Sequence, residues 1–244
     1  MQPNRTAIVT GASKRVGGEI ARALLADGWV VVAHVRREQD SVGDGAVKVA
    51  ADLADLDCAQ AVFAAAAALP PVRLLVYNAA RFAWDGFGAF NAGEFDAHMA
   101  VNVRAPLLLT EAFAAAHDGE CDALVVNLLD SKLAAPNPDF LSYTLSKQAL
   151  AGLTELAARA LAPKGIRVNG ISPSLMLRSP GQSEENFAAM QRANPLARRV
   201  EPSDVVAALH YLIDSPAVTG QVLTIDGGQR FWALDRDVQF LEKQ

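Results

Sequence analysis

The fold is decided by the stretch Thr6-Ala7-Ile8-Val9-Thr10-Gly11-Ala12-Ser13-Lys14-Arg15-Val16-Gly17-Gly18, near the start of a 244-residue chain. A short apolar run, typical of a buried strand, leads into a glycine turn and then into the helical pattern Gly17–Asp27. Such a turn lets backbone N–H groups approach a pyrophosphate at the helix N-terminus, where the helix dipole favours an anion. The stretch therefore predicts a dinucleotide site built from Gly11, Ser13, Lys14, Arg15, Val16 and Gly17. The alternative is a tight turn that binds no ligand.

Short apolar runs alternate with helical patterns along the rest of the chain. The predicted strands are Thr6–Val9, Val30–His34, Val47–Ala50, Leu74–Tyr77, Ala123–Asn127, Arg167–Ile171 and Val222–Ile225. The predicted helices are Gly17–Asp27, Asp55–Leu69, Phe95–His117, Tyr143–Ala162 and Pro202–Ile213. Several strands are apolar without a break, which is typical of a parallel sheet covered on both faces. We therefore expect residues 1–244 to form one α/β domain, a Rossmann-type doubly wound parallel sheet of about seven strands with helices on both faces.

Two stretches fit none of these elements. Arg36–Gly45 is too short for a crossover helix, so we expect a loop between the second and third strands. Ser172–Pro195 is polar, contains prolines and follows a strand end, where open α/β sheets place ligands. We expect its part from Leu175 to Pro195 to close over a substrate. The tail, residues 229–244, extends past the last strand, and the sequence does not decide whether its Phe231 and Trp232 reach the chain's own pocket or a neighbouring subunit.

Charge and hydropathy exclude two classes of protein. The chain has 22 Lys and Arg against 27 Asp and Glu, a net charge of −5, whereas a general nucleic-acid binder needs a basic face. The densest apolar patch, Ala61–Leu69, stops at Pro70 and falls short of the roughly 18 apolar residues that a membrane helix needs. We therefore expect no nucleic-acid partner and no membrane span.

Cysteine and histidine usage indicates a cytoplasmic protein without a metal. No secretory signal is visible at the N-terminus, and Cys58 and Cys121 form no close-spaced pair, so we expect two reduced structural thiols. The four histidines, His34, His98, His117 and His210, show no metal-ligand spacing and are expected to be surface or packing residues.

Positive charge is concentrated where a phosphorylated dinucleotide would lie. Residues 1–37 hold six basic and two acidic side chains, a net of +4, which leaves −9 for the remainder. Arg36 and Arg37 follow the second strand, where NAD-specific sheets usually have an acid on the ribose 2′-hydroxyl. Two guanidinium groups there favour a 2′-phosphate and therefore NADPH, although a solvated loop is the alternative. Asp52 and Leu53, which close the third strand, are placed to contact the adenine.

A Tyr-x-x-x-Lys pair marks the predicted chemical site. Tyr143 and Lys147 lie one helical turn apart, and an ammonium beside a phenol is expected to lower the phenol's pKa. The pair accompanies the glycine turn, Asn102, and two short motifs: Asn78-Ala79-Ala80 and Ile225-Asp226-Gly227-Gly228. In order and spacing the chain resembles the short-chain dehydrogenase/reductase family over nearly its whole length. The resemblance implies that Tyr143 donates a proton, Lys147 holds the nicotinamide ribose, Asn102 supports a relay water, and Asn78, Ala79 and Ala80 contact the cofactor.

Departures from the family pattern narrow the resemblance. Asp130 stands thirteen residues before Tyr143, where the family usually has Ser, and Arg15 replaces a usual Gly. Both changes, together with Phe82 after Asn78-Ala79-Ala80, resemble the pteridine reductase and dihydromonapterin reductase branch. Ser172-Pro173-Ser174-Leu175 also resembles that branch, which implies that Pro173 and Ser174 contact cofactor and Leu175 contacts substrate. The implied activity is NADPH-dependent reduction of a 7,8-dihydropterin (dihydromonapterin, dihydrobiopterin or dihydrofolate) to its tetrahydro form.

The chemistry of a pterin C=N bond gives a physical reason for Asp130. Ketone reduction builds negative charge on oxygen, which a carboxylate would repel, whereas imine reduction delivers a proton to nitrogen. We expect Arg15, Asp130 and Tyr143 to face the pterin and Phe82 to stack on it. Three alternatives are a degraded site in which Ser131 has taken over, a carbonyl or 3-oxoacyl reductase, and a non-catalytic NADP(H)-binding sensor. The resemblance also implies a homotetramer formed through the helices Phe95–His117 and Tyr143–Ala162.

Overall fold

Seven parallel strands form one sheet at the centre of the molecule. The computed structural model describes residues 5–119, 122–176, 178 and 182–240. The strands are β1 (Thr6–Val9), β2 (Val30–Val35), β3 (Val47–Ala50), β4 (Val72–Tyr77), β5 (Ala123–Leu128), β6 (Ile166–Pro173) and β7 (Val222–Ile225). They pair in the order β3-β2-β1-β4-β5-β6-β7, each parallel to its neighbour. The predicted doubly wound α/β sheet is therefore confirmed.

Helices cover both faces of the sheet. They are α1 (Arg15–Ala26), α2 (Cys58–Ala66), α3 (Ala92–Met99), α4 (Ala105–Ala116), α5 (Leu141–Leu161), α6 (Glu184–Arg192) and α7 (Pro202–Ile213). Helices α1 and α7 bury their apolar side chains against one face, and α2, α4 and α5 bury theirs against the other. Neighbouring β1 residues illustrate the division, because Ala7 and Val9 belong to the first core and Ile8 to the second. Two apolar layers therefore hold the strand ends in fixed positions.

The element boundaries differ from the predictions mainly in two places. The predicted helix Phe95–His117 begins earlier, at Ala92, and consists of α3, one π-helical segment (Ala100–Arg104) and α4. The prediction that Ser172–Pro195 contains no regular element is wrong. Its first two residues belong to β6, and α6 begins after Ser183, whose hydroxyl accepts a hydrogen bond from Asn186 N at 3.1 Å. Two acidic residues in its first turn further stabilise α6 through the helix dipole.

The remaining fold-level predictions concern loops, thiols and membranes. No helix lies between β2 and β3, as predicted. Cys58 is a buried free thiol whose pKa is raised by burial, and Cys121 lies outside the described residues. In the part of the chain that the structure describes, no helix is both long and apolar enough to cross a membrane.

The strand order reverses between β1 and β4, because β2 and β3 lie on one side of β1 and the later strands lie on the other. Open α/β sheets have a crevice at such a point, outside the carboxyl ends of the strands. The turns after β1, β4 and β5 meet there.

Candidate active site

A cleft of about 780 Å³ lies at the carboxyl ends of the strands. All of the predicted site residues line it except Asn102. They are Gly11, Ser13, Lys14, Arg15, Val16, Gly17, Arg36, Arg37, Asp52, Leu53, Asn78, Ala79, Ala80, Phe82, Asp130, Tyr143, Lys147, Pro173, Ser174 and Leu175. The structure thus brings together residues up to 164 positions apart, from Gly11 to Leu175. Their individual roles stay predictions.

The glycine turn is packed too tightly for larger side chains. Gly11 has a φ of +66°, which favours glycine. A Cβ added at Gly17 would lie 2.3 Å from the Gly11 carbonyl oxygen and 2.4 Å from Asn78 Nδ2. Asn78 Nδ2 donates hydrogen bonds to the carbonyl oxygens of Thr10 (3.0 Å) and Gly11 (3.2 Å). These contacts join the turn after β1 to the turn after β4.

The N-terminus of α1 opens into this cleft. Its N-cap residue, Lys14, makes no side-chain capping hydrogen bond, and no acidic residue lies in the first turn. Arg15 has a left-handed backbone, with a φ of +57°, and its Nη2 donates to the carbonyl oxygen of Arg178 at 3.1 Å. Uncapped amide groups and a positive helix dipole are what a phosphate group requires, so the residues present fit a dinucleotide cofactor.

The two arginines after β2 differ in their surroundings. Arg36 Nε lies 4.0 Å from Asp52 Oδ2, whereas the backbone N–H of Arg37 donates to Asp40 Oδ2 at 3.1 Å. Both guanidinium groups are exposed at the cleft. Arg36 is therefore partly neutralised within the chain, and Arg37 is the better placed of the two for an anionic ligand.

His34 has a position that the sequence did not predict. It is buried in β2, its Nδ1 accepts a hydrogen bond from Gly11 N at 3.2 Å, and its Nε2 lies 3.0 Å from the Ala51 carbonyl oxygen. Burial lowers the pKa of this histidine, which favours the neutral ring that accepts from Gly11. His34 thus ties together the ends of β1, β2 and β3 around the glycine turn. A single histidine near the end of an otherwise apolar strand was the sequence signal that could have indicated this buried position.

Tyr143 and Asp130 form a hydrogen-bonded pair. The Tyr143 hydroxyl donates to Asp130 Oδ2 at 2.9 Å, and Asp130 Oδ1 accepts from Lys132 N at 2.9 Å. Burial raises the pKa of Asp130 despite these hydrogen bonds. The carboxylate thus faces the phenol at the position where the family usually has a serine.

The expectation that Lys147 lowers the pKa of Tyr143 is wrong. Burial and the negative charge of Asp130 raise the pKa of Tyr143 well above its usual value. Lys147 Nζ donates to the Leu128 carbonyl oxygen at 2.6 Å and lies 5.8 Å from the centroid of the Tyr143 ring. Burial lowers the pKa of Lys147 to about 8, so the group is still mainly protonated at neutral pH but loses its proton more readily than an ordinary lysine.

Asn102 lies behind the cleft, in the π-helical segment, and is fully buried. Its Oδ1 accepts from Arg81 N at 2.8 Å, and its Nδ2 donates to the Arg81 carbonyl oxygen and to Ser146 Oγ. The side chain therefore fixes the residue before Phe82 against α5. Its role with a relay water stays a prediction.

Aromatic rings form the wall beside Tyr143. The Phe82 ring stacks on Phe140, with centroids 4.5 Å apart, and meets the Tyr143 ring edge-on at 4.8 Å. Phe140 in turn stacks on Phe240 of the tail at 5.9 Å, although its own backbone is left-handed, with a φ of +55°. Phe82 is 40% exposed, so its ring is accessible to a flat ligand.

Asp85 fastens this wall to the helix that carries Tyr143. Its carboxylate is buried and accepts hydrogen bonds from the backbone N–H of Ser142 at 2.8 Å and from the Ser142 hydroxyl. The backbone carbonyl of Asp85 also accepts from Leu141 N at 3.2 Å. Nothing in the local sequence identified this residue, because its partner is 57 positions away.

The tail reaches the chain's own cleft, which settles part of the question that the sequence left open. Trp232 lines the cleft, whereas Phe231 is 70% exposed. Asp237 and Val238, which the sequence did not single out, also line it. Within the described residues, no group of three or more His, Cys, Asp or Glu side chains is arranged to hold a metal ion.

Known proteins with similar sequences and structures cover almost all of the chain. A family profile described as Enoyl-(Acyl carrier protein) reductase matches residues 11–230. 3beta-hydroxysteroid dehydrogenase 1 of Eggerthella lenta is 31% identical over 253 residues, covering 93% of this chain and 94% of that protein. Pteridine reductase 1 of Leishmania tarentolae is 29% identical over 279 residues, covering 91% and 95%.

A solved structure is similar both in fold and in sequence. FolM alternative dihydrofolate reductase 1 from Brucella canis, complexed with NADP, has a TM-score of 0.89 and 36% identity, covering 95% of this chain and 96% of that one. The sheet, the glycine turn, the Tyr143–Lys147 helix and these matches agree. The chain belongs to the short-chain dehydrogenase/reductase family of oxidoreductases, which act on small molecules with a nicotinamide cofactor.

Proposed function

We propose that this protein is an NADPH-dependent pteridine reductase, which converts a 7,8-dihydropterin to its tetrahydro form. The observation that carries the proposal is the hydrogen bond between Tyr143 and Asp130, 2.9 Å long, next to the accessible ring of Phe82. A flat, amidine-rich ring can stack on Phe82 while it faces both side chains. The pteridine reductase of Leishmania and the NADP-bound structure from Brucella support the same assignment.

Proton delivery follows from the order of groups around Tyr143. When bound, the nicotinamide cofactor supplies the hydride that the C=N carbon accepts. The C=N nitrogen then needs a proton, which the Tyr143 hydroxyl is placed to donate. Asp130 accepts a hydrogen bond from that hydroxyl, and burial, which raises its pKa, favours its uptake of a proton from water. It can then pass that proton to the Tyr143 phenolate and restore the hydroxyl. Lys147 binds and orients the cofactor ribose at the junction of the two ends of the cleft.

NADPH rather than NADH is proposed from Arg36 and Arg37, both of which are exposed at the cleft beside β2. A guanidinium group pairs bidentately with a phosphate and gains less from a ribose hydroxyl. The sequence prediction that Asp52 and Leu53 contact adenine is part of the same proposal.

A carbonyl or 3-oxoacyl reductase is the second candidate, because several relatives reduce or oxidise other substrates, among them the steroid dehydrogenase named above. A carboxylate beside the proton donor argues against it, since negative charge develops on a ketone oxygen during reduction. A non-catalytic sensor has no need of the Tyr143–Asp130 pair.

The proposal is tested by measuring NADPH oxidation with dihydromonapterin, dihydrobiopterin, dihydrofolate and a 3-oxoacyl ester. We expect turnover with at least one pterin. Turnover of the ester alone, or of nothing, would contradict the proposal. Asp130→Ser should lower pterin turnover by about 10²-fold or more while leaving the Kd for NADPH unchanged.

We also propose that the protein is a homotetramer. Leu107 of α4 and Leu145 and Leu156 of α5 are 43%, 41% and 67% exposed, which provides apolar surface for helix packing between subunits. Its location in the cytoplasm stays a prediction from the sequence.

A further inference from the structure

The part of the tail that the structure describes, residues 229–240, contributes one wall of the cleft. Trp232, Leu234, Asp237 and Val238 of the tail line the cleft there, together with Lys132. This part of the cleft adjoins the aromatic wall, because Lys132 Nζ lies 5.4 Å from the centroid of the Phe140 ring, on which Phe82 stacks. Under the proposed function, a pterin ring stacked on Phe82 would therefore carry its substituent, which distinguishes one pterin from another, close to the tail.

A buried carboxylate holds the tail in place. Asp139, only 6% exposed, accepts hydrogen bonds from Arg236 Nε at 2.8 Å, from Arg236 Nη2 at 3.0 Å and from Asp237 N at 2.8 Å. Three residues later Phe240 stacks on Phe140. Fixed on both sides, Asp237 has a defined position in the cleft.

Asp237 neutralises the ammonium group at this end. Lys132 Nζ lies 3.4 Å from Asp237 Oδ2 and also donates to the Asp139 carbonyl oxygen. The side chains of Lys132 and Asp237 are only 10% and 19% exposed, so water screens their charges incompletely. Asp237 Oδ1 accepts from Gln239 N at 3.1 Å, which orients the carboxylate.

Three other arginines near this end are paired with carboxylates. Arg236 pairs with Asp139, Arg230 with Asp226 and Arg178 with Glu184. Asp237 is close enough to the reacting groups for its negative charge to help raise the pKa of both Asp130 and Tyr143. A ligand substituent at this end therefore meets the Asp237 carboxylate, while Lys132 is already bound by Asp237 and by the Asp139 carbonyl oxygen.

We propose that Asp237 is a specificity-determining residue, which favours dihydropterins with a neutral, hydroxyl-bearing substituent over those whose substituent ends in carboxylates. The inference rests on the proposed function. Substrate hydroxyl groups donate hydrogen bonds to a carboxylate, whereas a substrate carboxylate finds the Lys132 ammonium already paired with Asp237 and gains no ion pair there. Selectivity thus arises because Asp237 accepts from hydroxyl groups and keeps Lys132 from binding a carboxylate.

The test compares Asp237→Asn with Asp235→Asn, which removes the same charge from an exposed position on the same tail. The kcat/KM of each is measured with dihydromonapterin, which carries hydroxyl groups, and with dihydrofolate, which ends in carboxylates. We expect D237N to raise the ratio of dihydrofolate to dihydromonapterin by about fivefold to tenfold, because it releases Lys132 for a substrate carboxylate. D235N should leave the ratio as in the wild type.

A double variant, Lys132→Met with Asp237→Asn, removes both charges and should lose the gain for dihydrofolate. The Kd for NADPH and the thermal midpoint establish that each variant is folded. A D237N ratio within twofold of the wild-type ratio, with both pterins turned over, would overturn this inference and leave the proposed function intact. Wild-type protein that oxidises NADPH with none of the three dihydropterins would contradict the proposed function itself.

Discussion

The two ends of the cleft are built from different kinds of contact. At the cofactor end, the decisive groups follow one another within residues 10–17, and neighbouring strand ends support them through Asn78 and His34. At the substrate end, pairs of distant residues hold the wall, such as Asp85 with Ser142 and Asp139 with Arg236, 57 and 97 positions apart. A dinucleotide site can thus be encoded by one turn, whereas a substrate site depends on the whole fold.

The largest expected difference between the two ends comes from removing the Tyr143 hydroxyl, which should affect turnover and not cofactor binding. Tyr143→Phe retains the ring contact with Phe82 but has no hydroxyl to donate to Asp130. We expect kcat for pterin reduction to fall by about 10²–10⁴-fold, as for loss of a general acid. The Kd for NADPH, measured by fluorescence titration, should change less than twofold. A similar loss of both quantities would show that the ends are not independent.

A methyl group added at Gly17 should disrupt the cofactor end. Gly17→Ala places a Cβ 2.3 Å from a carbonyl oxygen, which costs about 1–3 kcal/mol in the free energy of unfolding. The matched control is Gly18→Ala, whose Cβ would lie 3.6 Å from the Ala12 carbonyl oxygen, an ordinary contact. We expect G17A to weaken NADPH binding and to lower the urea midpoint. If G18A had effects as large, packing at Gly17 would not be the cause.

The coenzyme preference should depend more on Arg37 than on Arg36. Asp52 already lies near Arg36, so Arg37→Ala should lose more of the interaction with a 2′-phosphate. We expect its Kd for NADPH to rise about tenfold to a hundredfold, with a small change for NADH. The reverse order for R36A and R37A would assign the phosphate contact to Arg36.

Lys147 joins the two ends and should impose a pH limit. It is charged below its pKa of about 8 and neutral above, so kcat/KM should be halved at about pH 8 and fall tenfold per pH unit beyond it. Lys147→Arg should move this limit upward, because arginine keeps its proton. No shift of the limit in K147R would assign it to another group.

The same group gives a stability test with a defined sign. The pKa of Lys147 is about 8 in the folded state against 10.5 as its ordinary value, so the unfolded chain binds more protons between these pH values. The free energy of unfolding should therefore rise with pH across this window. Below about pH 8 the buried ammonium destabilises the folded state by its full amount, and above both pKa values it does not destabilise it. Lys147→Met should show a smaller rise than the wild type in urea unfolding.

The sequence predicted the strands and helices well, because hydrophobic periodicity and glycine turns are local properties. The bounds of β1, β3, β7 and α7 agree with the predicted ones residue for residue. Helix α6 was missed because its nine residues make only about two and a half turns, with Phe187 and Met190 as their large apolar side chains. The Ser183 cap and the two acidic residues of the first turn were the local signals. Asp130 was found through its spacing from Tyr143, but the raised pKa of Tyr143 was not, since burial depends on chain segments far away.

Asp85 and Asp237 show the same limit at the substrate end. Neither belongs to a motif, and each acquires its surroundings only when a distant segment folds onto it. Of the two tail residues that the sequence named, Trp232 lines the cleft, whereas the ring of Phe231 is largely exposed. Val238, which the sequence did not name, also lines it. The two 3-10 helices in the tail, Gln229–Phe231 and Val238–Phe240, have three residues each, too few for an amphipathic pattern to be read.

Two of the three non-glycine residues with a positive φ in the described part of the chain line the cleft, Arg15 at one end and Phe140 at the other. A left-handed backbone costs a residue with a Cβ about 1–2 kcal/mol, so glycine would be the less expensive choice at both positions. The chain instead carries its largest cation and a phenyl ring there. Selection for thermal stability alone would be expected to replace both with glycine, and selection for turnover would be expected to keep them.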